Sequence, residues 1–163
     1  MALLIGAVLA IVVGLMATGV GMDRDRALYP AITMVVASYY VLFAILGGST
    51  PALWIETVVA LVFVALAMAG FRGSLWLAVA ALGAHGLLDL VHGRLIANPG
   101  VPAWWPPFCM SYDVAAAAYL APIADRVREG TLQRDEPYRS ILAAWTGPGA
   151  TSRDLLAGTE RAD

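Results

Sequence analysis

The stretch His85-Gly-Leu-Leu-Asp89-Leu-Val-His92 sets two imidazoles and a carboxylate inside an otherwise apolar run. On an α-helix each residue turns about 100°, so His85, Asp89 and His92 fall within roughly 60° of one another and form a single polar stripe. Imidazole nitrogen and carboxylate oxygen are the ligands that zinc, iron and manganese take. A divalent ion held this way activates water or polarises an oxygen-bearing group. The spacing His-x3-Asp-x2-His is less diagnostic than His-Glu-x-x-His, where the general base is part of the pattern. Further along, Cys109 and Asp113 stand at i and i+4 and share a helical face, while Glu56 is isolated in its own apolar run. The single cysteine excludes an intrachain disulfide and a cysteine-only metal cluster, and Cys109 reads as a small packing residue.

The elements that must position these groups follow from composition. The chain has 163 residues, 60% of them hydrophobic and 13% charged, about half the charge of a soluble domain. Between Ala27 and Ala124 the formal charges are Glu56, Arg72, Asp89, Arg94 and Asp113. A membrane-spanning helix needs about 20 mostly apolar residues. Five runs qualify, at about 2–22, 27–48, 51–70, 74–96 and 107–124, which predicts an all-α bundle of five transmembrane helices. Arg24, Arg26, Arg72, Arg126 and Arg128 then share one side and Arg94 lies on the other. Arginine excess marks the cytoplasm, so the expected topology has the amino terminus outside, the carboxyl terminus inside and the chain in the cell membrane as a multipass protein. The domains expected are a transmembrane unit over 1–124 and a polar cytoplasmic tail over 125–163. In that tail Tyr138, Ile141, Leu142 and Trp145 give a short amphipathic helix near 137–146. The Asp23-Arg24-Asp25-Arg26 turn reads as a self-paired, solvated connection.

At a rise of 1.5 Å per residue, Glu56, Asp89 and Asp113 come out roughly 8–10 Å below the outer boundary, with His85 a little deeper. Five ionisable side chains from three helices therefore share one slab, although each costs roughly 2.5–3.5 kcal/mol to insert. Three carboxylates face Arg94 as the one nearby cation. A metal on His85, Asp89 and His92 would offset them, with Glu56 or Asp113 completing the shell and the other carboxylate acting as general base. Proton uptake in a metal-free acid–base site is the second reading, and a chemically inert network is the third.

Tyr40, aligned with Thr33 and Ala37, is the tyrosine expected to satisfy a buried carboxylate. The segment 98–108, with four prolines, is expected to form a stiff external cap. Its Trp104 and Trp105 read as interfacial anchors, with substrate contact as the alternative. The function expected is a membrane enzyme for hydrolysis, hydration or isomerisation of a hydrophobic or lipid-like substrate. The rival is a small transporter or a subunit of a larger membrane assembly. Expected partners are membrane lipids, a hydrophobic small molecule and a second copy of the chain in a homo-oligomer. Net charge is −2 and no basic stripe is present, so nucleic acid is not expected. The chain has no lysine, which excludes a retinal Schiff base.

Overall fold

A computed structural model describes residues 1–22 and 27–130. The described residues form five helices: α1 (Ala2–Val20), α2 (Leu28–Leu46), α3 (Thr50–Arg72), α4 (Leu75–Leu95) and α5 (Trp105–Arg128). Four of them, α1 to α4, are long and apolar enough to cross a membrane. The α5 helix is longer but carries Ser111, Tyr112 and Asp113 early and Asp125, Arg126 and Arg128 at its end. The expected amphipathic helix near 137–146 and the Asp23–Arg26 turn lie outside the described residues.

Local chemistry explains the helix ends. Gly21 closes α1 in the left-handed region (φ 79°), its N–H donating to the carbonyls of Ala17 and Thr18, the usual glycine stop. Ser49 and Ser74 cap α3 and α4 by accepting from the N–H groups of Ala52 and Trp76, each at 3.3 Å, which satisfies donors the helix leaves orphaned. The α5 helix begins before the expected residue 107. Pro106 and Pro107 sit in its first turn, where a proline gives up no hydrogen bond, so they start the helix instead of ending a loop. The α4–α5 connection is correspondingly short, 96–104.

The helices pack in the order α1–α5–α4–α3–α2, with a further contact between α2 and α4. Two apolar clusters hold α2 to α5 together, one around Leu82 and Leu120 and one around Phe63 and Ala81. The outward faces remain apolar: Leu4, Leu15, Trp54, Leu61, Leu87 and Leu90 are all exposed, a surface consistent with a membrane protein.

The α1 helix meets α5 through small residues: Gly6, Ala10, Gly14 and Ala17 are its buried positions. A Cβ on Gly6 would run into the Phe108 carbonyl and the Ser111 hydroxyl, and one on Gly14 would press on the Tyr119 ring. Thr18 Oγ1 and Tyr119 OH are hydrogen-bonded at 2.8 Å. Close approach of this kind is how helices associate where lipid removes the hydrophobic drive. Gly6→Leu should therefore lower the stability of the purified protein by about 1–3 kcal/mol or more. Gly19→Leu, at a position with open space, should leave the thermal transition near that of wild type. Equal transitions for the two variants would refute the close-packing account.

Candidate functional site

Four helices and the α4–α5 connection deliver polar side chains to the same end of the bundle. The α4 stripe is its centre, and each member finds a partner on a different element. His85 Nδ1 lies 2.7 Å from Asp113 Oδ2 on α5. Asp89 Oδ1 accepts a 2.5 Å hydrogen bond from the Tyr40 hydroxyl on α2. His92 Nε2 lies 2.8 Å from Glu56 Oε1 on α3. All five ionisable groups are shut away from solvent, from 0% exposure at Asp113 to 4% at Asp89, so none is a solvated surface charge.

The groups divide into two. In the first, one ligand atom from each of His85, Asp89, Cys109 and Asp113 lies within 4.8 Å of every other. His85 Nδ1 is 3.7 Å from Asp89 Oδ2, and the Cys109 thiol donates to Asp113 Oδ2 at 3.7 Å. In the second, the Asn98 amide joins His92 and Glu56, donating to Glu56 Oε1 at 2.9 Å and to the Tyr40 carbonyl at 3.0 Å. Tyr40 stands between the two. Its ring stacks on His92 with centroids 4.0 Å apart, and its hydroxyl serves Asp89.

This partition differs from the expected donor set. His92 shares the α4 stripe but stands two turns beyond His85, roughly 10 Å along the axis, where its nearest carboxylate is on α3 and not α5. Asp113 takes the completing position, and Cys109, read as packing, brings its sulfur into the group. Its i, i+4 pairing with Asp113 was the available signal. Asn98 was missed altogether. The only hint was an asparagine beside the Pro99-Gly100 turn, and Gly100 N–H does donate back to Asn98 Oδ1 at 3.3 Å.

Two oxygens in the first group are left over. Asp89 Oδ2 and Asp113 Oδ1 are buried with no hydrogen-bond partner among the described residues. A buried acceptor in that state costs roughly 1–3 kcal/mol, more if it is charged, a cost that a proton, a bound water or a cation would relieve. The chain matches no protein-family model, no curated protein and no solved structure.

The remaining candidates sit around the cluster. Arg94 is exposed at the end of α4 and forms no ion pair with the buried carboxylates. Trp104 is 55% exposed. Trp105 packs on Tyr39 and Phe43, with centroids 4.6 and 5.1 Å away, and so pins the start of α5 to α2. Of the clefts that reach the layer, two border the α4 stripe. One, of about 400 Å³ between α1, α4 and α5, has Asp89 in its wall. The other, of about 640 Å³ beneath the 96–104 connection, has His92 and Asn98 in its wall.

Proposed function

We propose that the chain is a multipass cell-membrane enzyme in which His85, Asp89, Cys109 and Asp113 hold one divalent metal ion. The observation that carries this reading is the pair of buried carboxylate oxygens without partners inside a group of four convergent donors. A tetrahedral ion with bonds of about 2.0–2.3 Å brings its ligands to roughly 3.3–3.8 Å from one another, so the donors present need only small shifts. The ion would replace the His85–Asp113 hydrogen bond and offset a thiolate and two carboxylates that apolar surroundings otherwise penalise. A sulfur ligand favours zinc or iron over manganese.

By taking a fifth ligand beyond the four side chains, the ion would supply an activated water or a polarised substrate oxygen. The His92–Glu56 pair, outside the ligand group and next to the cleft beneath the connection, is placed to give or take a proton. The substrate class proposed is lipid-like, because the cleft beside Asp89 opens through an apolar wall of Leu3, Leu90 and Met110. A metal-free acid–base site has one observation in its favour: each histidine already has a carboxylate at 2.7–2.8 Å. Metal analysis separates the two. About one zinc or iron per chain is expected after purification without chelator. A metal-free chain that gains no thermal stability from added zinc or iron would leave the acid–base site and the inert network.

Five spans with an external amino terminus complete the proposal. In its favour, Arg24, Arg26, Arg72, Arg126 and Arg128 fall on one side in that arrangement against Arg94 on the other, and Asp125, Arg126 and Arg128 lie in the last turn of α5. Cysteines introduced at residues 2 and 150 give the test. A membrane-impermeant maleimide should label only the first in intact cells, and labelling of both would end the five-span arrangement.

A further inference from the structure

The two clefts share Gly93 and Pro106 in their walls, so the passage beside Asp89 adjoins the space beneath the α4–α5 connection at those residues. Gly93 lines both. It lies inside α4, where glycine costs about 1 kcal/mol relative to alanine. A Cβ there would meet nothing within 4 Å. Helix packing does not require this glycine, whereas the absence of a side chain keeps the passage open. Arg94, the next residue, lines the same cleft and is exposed. It has no ion pair among the described residues. Below it the lining turns apolar at Leu3, Leu90 and Met110.

An apolar slot that opens sideways, with an uncommitted guanidinium at its rim and a metal-ligand carboxylate in its wall, has the chemistry of an amphipathic anion. We infer that this passage takes a membrane lipid with an anionic head group, Arg94 holding the head group and the chain lying along Leu3 and Leu90. Guanidinium matches phosphate and carboxylate oxygens two at a time. Seated this way, the bonds next to the head group come level with Asp89. The inference rests on the membrane-enzyme reading and names its substrate class.

Native mass spectrometry of the detergent-solubilised full chain tests it, with phosphatidylglycerol and phosphatidylcholine of identical acyl chains as probes and metal content measured on the same samples. Wild type should retain phosphatidylglycerol about fivefold or more over phosphatidylcholine. Arg94→Gln should erase that preference, and Gly93→Phe should reduce retention of both lipids by filling the passage. Each variant should keep the wild-type thermal transition, since neither residue is packed. Equal retention of the two lipids by wild type, or a preference that survives Arg94→Gln, would overturn the inference. So would undiminished retention of phosphatidylglycerol by Gly93→Phe, because the arginine would then act on the open surface and not at the cleft. A metal-free wild type that still prefers phosphatidylglycerol would support the lipid passage while removing the metal.

Discussion

Alanine at His85 should strip the metal from the purified protein, whereas alanine at His92 should leave it in place. The two histidines lie on the same face of α4, so a generic buried-polar effect would not separate them. Their partners do: His85 belongs to the four-donor group with Cys109 and Asp113, and His92 belongs to Glu56 and Asn98. Cys109→Ser and Asp113→Asn should follow His85→Ala, each removing a ligand atom. Tyr40→Phe removes the hydrogen bond that orients Asp89 without touching a ligand, and losses of that kind cost about 10–100-fold in metal affinity. Stability should fall with metal content. An ion present at 100 times its dissociation constant contributes about 2.7 kcal/mol, enough to lower the thermal transition by several degrees. His92→Ala should be destabilised by roughly 1–3 kcal/mol through the loss of its hydrogen bond to Glu56, whose Oε1 keeps the Asn98 amide, yet remain metal-loaded. Trp104→Ala should match wild type in both readouts. Elemental analysis and thermal unfolding of the same preparations decide the matter. Metal loss in His92→Ala equal to that in His85→Ala would return His92 to the ligand set.

Gly100→Ala should be among the most damaging single-methyl changes in the chain. A Cβ at Gly100 would collide with the carbonyl of Phe43, and one at Gly47 would collide with the backbone of Gly100. The α4–α5 connection therefore lies directly on the end of α2, backbone against backbone, and neither side can yield as a flexible side chain would. Gly100 is not among the glycines with positive φ, so the demand is for space and not for an unusual conformation. Two residues earlier, Asn98 reaches both Tyr40 and Glu56, and lifting the connection pulls that amide away. The expected loss is about 1–3 kcal/mol or more from overpacking, with the loss of the Asn98 bonds added to it. Gly48→Ala is the comparison. Gly48 does have positive φ (65°), with open space around it, and should cost about 1–2 kcal/mol from conformation alone. Chemical unfolding in detergent would rank them, and a Gly100→Ala protein as stable as wild type would show that the connection can move freely.

Much of the helical frame was legible in the residues. Long apolar runs set α1 to α4, and Ser, Gly and Pro at their borders gave the turns, because these signals are local. The co-location of Glu56, Asp89 and Asp113 was also readable, since rise per residue converts position along a helix into depth. What could not be read was rotation of one helix against another. That rotation decides which carboxylate meets which histidine, and so why His92 pairs with Glu56 while Cys109 joins His85. The start of α5 was misread because Pro106 and Pro107 end helices from within but begin them well. Asn98 was invisible because its partners are 42 and 58 residues away in sequence.

The contact between α1 and α5 bears on how the chain is made. Of the five helices α1 emerges first, yet the partner for its glycine face is α5, whose last turn follows roughly 100 residues later. At about 5–20 residues per second, that face waits roughly 5–20 s for its neighbour. The pairs α2–α3 and α3–α4 are consecutive and can dock as they appear, so biosynthesis should build a three-helix intermediate beside a detached first helix. Arrival of α5 then brings Cys109 and Asp113 to α4 and the Phe108 carbonyl to Gly6 in the same step, so that the last helix completes the donor group and recruits the first helix together.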